Sequence, residues 1–198
     1  MTIFVGLTGG VAAGKSAAMA AFESEGAAVF STDLAAHLAL GLPEVRDQLI
    51  ERWGEEVVVD GDLDRNRIAR IVFEDAGELE WLEGILHPRV RDQVAEWRDA
   101  LDPSTEIAVI EVPLLFESGL EGTFDATVAV VADDEVRNAR LAERGHTGNE
   151  GRESRQLTQA EKAERAAHVI HNNGSLEELS AAVTALSANL KEGTGGIE

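Results

Sequence analysis

The chain has 198 residues, enough for one domain with insertions and a substantial core. It has no cysteine, which excludes a disulfide framework, a thiol nucleophile and a cysteine-based metal site. Seventeen lysines and arginines against 37 aspartates and glutamates leave a formal net charge of −20, which repels nucleic acid and anionic membranes, so neither is an expected partner. No apolar run reaches the length of a membrane span, and the N-terminus enters a strand without a basic region. A cytoplasmic protein without a signal peptide is expected.

Thr2 to Thr8 is a short apolar run that reads as a buried parallel strand. Residues 9 to 16, Gly-Gly-Val-Ala-Ala-Gly-Lys-Ser, follow it directly and spell G-x-x-x-x-G-K-S; Ala17 to Glu23 then reads as a helix. Strand, glycine loop and helix N-terminus form the context of a P-loop. Gly9, Gly10 and Gly14 let the backbone of Val11, Ala12 and Ala13 curl its N–H groups toward phosphate oxygens at the positive end of the helix. Lys15 adds a charge for the β- and γ-phosphates, and the Ser16 hydroxyl suits Mg²⁺. The pattern implies a bound nucleoside triphosphate.

Ala27 to Ser31 reads as a second strand, ended by Thr32 and Asp33, with a helix from Leu34 to Leu40. Pro43 opens another helix through Trp53, stopped by Gly54. Val57 to Val59 with Asp60-Gly61 predicts an extended piece and a turn, and a helix follows from about Asp64 to Glu74. Residues 78 to 101 have helical periodicity interrupted at His87-Pro88. Ile107 to Val112 and Ala126 to Ala132 are further strands. Val136 to Gly145 is helical, His146 to Gly151 polar, and Arg152 to Ala166 helical again. His168 to His171 is a fifth strand, Leu176 to Leu190 a closing helix, and 193–198 a glycine-rich tail expected to be disordered. Strands alternating with helices predict a parallel sheet. The long stretch between the second and third of its strands reads as a helical insertion, which a second substrate would explain.

Cations gather between residues 137 and 165. Arg137, Arg140, Arg144, Arg152, Arg155, Lys162 and Arg165 face five acids there, although the chain as a whole is strongly acidic. Concentrated cations suit a polyphosphate site, and a helix face of i,i+4 ion pairs such as Glu161–Arg165 would look the same. Elsewhere the lysine-poor, acidic composition is compatible with life at high salt and with a GC-rich genome alike.

A GTPase would carry Asn-Lys-x-Asp after a strand, but the strand ends here lead to Ala132-Asp133-Asp134 and His171-Asn172-Asn173. The chain is also short for motor machinery. A small-molecule kinase fits better, and it needs a group that orients the acceptor and takes its proton. Asp33 suits that role, or it caps the helix beginning at Leu34. Glu111 ends the third strand where a carboxylate holds a Mg²⁺-bound water, or it is a loop acid before Pro113. The apolar segment Pro113 to Glu117 lines the crevice mouth or packs into the core. His87 bonds an acceptor or caps a helix, and it lacks the partners that a zinc site needs.

Taken together and in order, these residues resemble the dephospho-coenzyme A kinase family over nearly the whole chain. The blocks are Gly6 to Ser16, with its Leu-Thr-Gly-Gly start, and Asp33. Then come Asp64-Arg65 with Ile71-Val72-Phe73, Leu82 to Val90 around His87-Pro88, and Glu111 to Leu120. Arg152, Gln156 and Lys162, with Val169 to Leu176, complete the set. Ala17 departs from the family's usual Thr, Ser31 from a common Asp, Glu111 from the usual Asp, and Ala167 and His171 from acids.

The resemblance implies a P-loop NTPase three-layer α/β fold, with a five-stranded parallel sheet flanked by helices, in a single domain over 1–192. Its core would be about 1–40, 104–136 and 167–192, with a helical acceptor insertion at about 41–103 and a lid at about 137–166. It implies phosphorylation of the ribose 3′-hydroxyl of dephospho-coenzyme A by ATP with Mg²⁺. Asp33 would be the base, with Lys15 and the lid residue Arg140 also catalytic. Residues Gly9 to Ala17, Arg140 and Asn172 would bind ATP, with Asn172 bordering the adenine. Thr8, Asp33, Arg65, His87, Leu114, Phe116 and Glu117 would meet the acceptor, and Ser16 and Glu111 the metal. A monomer or weak homo-oligomer is expected. Two rivals remain: a kinase of the same fold with another acceptor, such as a nucleoside or nucleotide, and a non-catalytic nucleotide-binding module.

Overall fold

A computed structural model describes residues 1–143 and 156–193. Arg144, the polar stretch 145–151, Arg152, Arg155 and residues 194–198 lie outside the described residues. The described strands are β1 (Ile3–Gly9), β2 (Ala28–Ser31), β3 (Val58–Val59), β4 (Asp62–Leu63), β5 (Ile107–Glu111), β6 (Ala126–Val131) and β7 (His168–His171). Five of them form a parallel sheet in the order β2-β5-β1-β6-β7, while β3 and β4 make a hairpin. The five sheet strands are the apolar runs of the sequence. Parallel strands are covered on both faces, which is why β5 is buried at every position and reads as Ile-Ala-Val-Ile before Glu111.

Helix α1 (Lys15–Ser24) follows β1, and the chain crosses over β5 to reach β2. After β5 it crosses in the other direction, over β1 to β6. The connections leaving β1 and β5 therefore diverge at adjacent carboxyl ends, the switch point where such sheets bind ligands. Side chains of β1 alternate between faces. Ile3, Val5 and Leu7 join a core with Ala18, Met19 and Phe22 of α1 and with Leu179, Val183, Leu186 and Leu190 of the closing helix α8 (Leu176–Gly193). A fully buried side chain such as Phe22 contributes about 1.5–3 kcal/mol. Thr8 points to the opposite face, where it meets α7 (Gln159–Arg165). The layers are helix, sheet and helix, as the alternation of elements implied.

Residues 32–100 form a second compact unit. It contains α2 (Thr32–Leu40), α3 (Pro43–Trp53), α4 (Arg65–Glu74), α5 (Ala76–Asp99) and the hairpin. Its own core is built from Ala39, Val45, Leu49, Val57, Ile68, Val72, Leu82, Ile85 and Leu86. Asp60 and Gly61 both have positive φ (53° and 91°), the turn geometry that joins two-residue hairpins, so the expected extended piece and turn is a closed β-hairpin.

Several boundaries differ from the sequence expectation. Helix α2 begins at Thr32, not Leu34, which puts Asp33 inside the first turn and removes the reading of Asp33 as a cap in front of the helix. Helix α5 continues through His87-Pro88 without a break. Proline cannot supply the N–H that Gly84 O would accept, and the Arg89 guanidinium donates to the neighbouring Ile85 O at 2.8 Å. Helix α6 (Asp134–Glu143) begins two residues early. Helix α7 starts at Gln159 because Thr158 and Glu161 form a reciprocal capping box. Gly193, expected in the tail, closes α8.

Candidate active site

The phosphate loop joins the carboxyl end of β1 to α1. Gly14 stands at the helix N-cap with φ 101°, in the left-handed region, and offers no side chain to cap the first turn. Ala12 is also left-handed, at φ 59°. The helix start and its dipole are thus not covered by a capping side chain, an arrangement suited to an anion. Lys15 Nζ donates to Gly9 O at 3.2 Å and to Gly10 O at 3.3 Å, lying along the loop.

What sets the loop's shape lies on its carbonyl side. Arg137 Nε donates to Val11 O at 2.9 Å, and Arg140 Nη1 donates to Ala12 O and Ala13 O at 3.4 and 3.3 Å. Asn172 Nδ2 donates to Ala13 O at 2.8 Å. A trans peptide aims the next N–H opposite to its C=O. Holding the carbonyls of Val11 and Ala13 therefore turns the N–H groups of Ala12 and Gly14 the other way, toward the concave side of the loop. Arg140 Nη2 also donates to Asn172 O at 3.0 Å, which ties α6 to the end of β7. Asn172 is buried, and a Cβ added to Gly14 would strike its amide. Arg140 and Asn172, expected over the phosphates and at the adenine, are thus both bonded to the loop itself.

Next to Gly10 and Val11 is a cavity of about 470 Å³, bounded by Asp134 and Arg137 of α6 and by residues 156–160. Gln159 borders it and bonds the Ala132 backbone at both ends of its amide, at 3.0 and 2.9 Å. Arg137 is further anchored by Asp134 at 3.0 Å.

At the carboxyl ends of β2 and β5, Ser31 Oγ donates to Glu111 Oε2 at 2.8 Å, and Glu111 is 8% exposed. Ser16 is exposed on the first turn of α1. Among the described residues no group of three or more His, Cys, Asp or Glu could hold a metal ion. Ser16 and Glu111 supply two oxygen donors, a number compatible with Mg²⁺, which otherwise takes phosphate oxygens and water.

The acceptor-side segment divides. Leu115 and Phe116 are buried, so packing takes up Phe116, which was expected to contact the acceptor. Leu114 stays half-exposed. Glu117 Oε1 accepts from Leu157 N at 2.7 Å and pairs with Lys162 Nζ at 3.1 Å. Lys162 is fully buried and also donates to Pro113 O at 2.5 Å and to Thr8 Oγ1 at 3.4 Å, while Thr8 Oγ1 donates to Pro113 O at 3.1 Å. Burial pulls the Lys162 ammonium below its ordinary value, against the hydrogen bond and charge of Glu117.

Within the 32–100 unit, Asp33 is exposed on α2, one turn before His37. Arg65, at the start of α4, donates to His37 Nε2, and Asp64 caps that helix by accepting from the N–H groups of Asn66 and Arg67. The unit therefore brings Arg65 to the helix that carries Asp33. His37, absent from the sequence expectation, makes the link; its signal was the i,i+4 spacing from Asp33. His87 is exposed on α5.

The dephospho-CoA kinase family model matches residues 3–178. A dephospho-CoA kinase of Thermus thermophilus is 38% identical over 197 residues, covering 98% of this chain and 95% of its own. One from Moorella thermoacetica is 43% identical over 145 residues, 71% of this chain and 68% of its own. Among solved structures, a Thermus thermophilus protein superposes with a TM-score of 0.81 at 38% identity, covering 96% of this chain and 98% of that one. Dephospho-CoA kinase from Campylobacter jejuni shares the fold at 0.71 and 24% identity, covering 98% of this chain and 100% of its own.

Proposed function

We infer the function from one premise: the chain belongs to the dephospho-CoA kinase family. It transfers the γ-phosphoryl group of ATP to the ribose 3′-hydroxyl of dephospho-coenzyme A, giving coenzyme A and ADP, the last step of coenzyme A synthesis. The observation that carries the reading is the extent of the likeness. Shikimate kinase from Bacteroides thetaiotaomicron shares the fold at a TM-score of 0.50 and 16% identity. By contrast, 38% identity over 98% of the chain takes in the phosphate loop and the 32–100 unit alike.

The residue roles follow from the chemistry of transfer. Phosphoryl transfer is mostly positioning and charge stabilisation. The N–H groups of the loop and Lys15 bind the β- and γ-phosphates, and Arg137 and Arg140 keep the loop in the shape that aims those groups. Arg140, carried on α6 and bonded to Ala12 O and Ala13 O, adds its charge beside the phosphates. Asn172, at the end of β7, borders the adenine while bracing Ala13 O. Ser16 and Glu111 would hold Mg²⁺, which supplies charge neutralisation for the phosphates, and the Ser31 hydroxyl orients the Glu111 carboxylate. Asp33, exposed on the first turn of α2, aligns the acceptor hydroxyl and takes its proton. Arg65, Leu114 and His87 contribute to the acceptor site.

An ADP-release assay with ATP and Mg²⁺ tests the reading across dephospho-coenzyme A and a panel of nucleosides and nucleotides. Dephospho-coenzyme A is the acceptor that drives ADP release, and Asp33→Asn lowers its turnover by about 10²–10⁴-fold with ATP affinity retained. Preference for a nucleoside or nucleotide overturns the acceptor assignment. Wild-type turnover in Asp33→Asn overturns the assignment of the base.

A further inference from the structure

We propose that Lys162 is a positioning residue for transfer, holding the Pro113–Glu117 segment and the start of α7 in register with the end of β1. The proposal rests on the kinase reading above. Three features of the chain lead to it.

The first is cost. Lys162 is 0% exposed, and lysine is almost never found fully buried without a partner. A site that needed only packing would be better served by an apolar side chain, because a buried ion pair is often no more stable than its hydrophobic replacement. Retaining the charge here calls for a task beyond packing.

The second is connectivity. The ammonium reaches three separate pieces of chain: Thr8 Oγ1 at 3.4 Å, Pro113 O at 2.5 Å and Glu117 Oε1 at 3.1 Å. Thr8 directly precedes Gly9 at the entry to the phosphate loop, and its hydroxyl passes the chain on to Pro113 O. Glu117 in turn accepts from Leu157 N, just ahead of the Thr158 cap of α7. One charge thus fixes the segment that follows β5, the residue before the loop and the start of α7.

The third is what α7 does next. Gln159, three residues before Lys162, is clamped on Ala132 and lies so close to Gly10 that an added Cβ would meet its side chain. Any shift of α7 released by loss of Lys162 is passed to Gly10 on one side and to the 113–117 segment on the other. The expected kinetic consequence falls on turnover, because Thr8 and Gly10 belong to the stretch that positions the transferring phosphoryl group.

The test uses the purified full chain with Lys162→Met, Glu117→Gln and the double variant Lys162→Met/Glu117→Gln. Thermal midpoint, kcat and the KM values for ATP and dephospho-coenzyme A are measured for each. The single Lys162→Met leaves the half-buried Glu117 without its cation and melts below wild type. Removing both charges restores most of the melting temperature. Under the proposal, the double variant still turns over at about one-tenth of the wild-type rate or less, a loss in kcat larger than the change in either KM. Recovery of wild-type kcat together with stability overturns it and leaves the pair a purely structural one. Should wild type prefer another acceptor, the function reading fails instead, and the same comparison is made on that acceptor.

Discussion

Replacing Gly14 by alanine asks whether the phosphate loop owes its shape to backbone freedom alone or also to the amide packed against it. Gly14 has φ 101°, and an added Cβ would strike Asn172 Nδ2 and come within 3.6 Å of Arg140 Nη1. Gly26 is the control, with φ 85° and nothing within 4 Å of an added Cβ. Both substitutions place alanine in a left-handed conformation at a cost of about 1 kcal/mol. Only Gly14→Ala also displaces the Asn172 amide from Ala13 O, and a buried amide parted from its acceptor costs about 1–3 kcal/mol. In a chain of this size each kcal/mol moves the melting temperature by about 2–4 °C, so Gly26→Ala loses about 2–4 °C and Gly14→Ala about 4–16 °C. Calorimetric titration with ATP separates the two further: Gly26→Ala binds as wild type does, and Gly14→Ala loses about tenfold or more in affinity, some 1.4 kcal/mol. If Gly14→Ala melts with Gly26→Ala and binds ATP like wild type, the bracing of the loop by Asn172 and Arg140 is refuted.

Phe22→Ala removes a fully buried ring from the core shared by α1 and α8 and should destabilise by about 3–5 kcal/mol, read as a lower urea midpoint at unchanged slope; a shift under about 1 kcal/mol would contradict the packing. The hydrogen bond from Arg52, joined by that from the Trp53 indole, holds the Glu78 carboxyl below its ordinary 4.5. Such a carboxylate contributes stability above 4.5 that is lost as pH falls through its lower folded value. Tryptophan emission from Trp53 and from Trp81, whose ring lies under Arg52, should therefore step below pH 4.5 and lose that step in Glu78→Gln; a step at or above 4.5 contradicts it. For Lys162 the slope has the same sign, although here folding disfavours the charged form. Its folded value lies below 10.5, so the unfolded chain binds more protons between the two and stability rises with pH across that window. Wild-type urea midpoints should rise there relative to Lys162→Met/Glu117→Gln, and parallel courses would refute the direction of the shift.

The sheet was legible because burial on both faces writes a parallel strand as an uninterrupted apolar run, as in Ile107 to Ile110. The phosphate loop was legible because its glycines, lysine and serine are local in sequence. Boundaries governed by local chemistry were partly misread. Pro88 suggested a break in α5, yet one missing N–H did not outweigh the packing of Leu82, Ile85 and Leu86 around it. The Thr158-x-x-Glu161 box is a readable helix start that the surrounding charge obscured. What no local pattern could show is partnership at long range. Arg137 and Arg140 read as cations for phosphate, but their bonds run to carbonyls more than a hundred residues away. Lys162 read as one charge of a cluster and is enclosed in the fold instead.

The 32–100 unit has one further consequence. Its helices are consecutive in sequence, and they enclose a core that shares no residue with the core beneath the sheet. Such a segment can open, be remodelled or be exchanged for another without unpairing any of the five parallel strands. Change within this unit can thus be absorbed in one stretch of coding sequence, while the parallel sheet and the phosphate loop stay as they are.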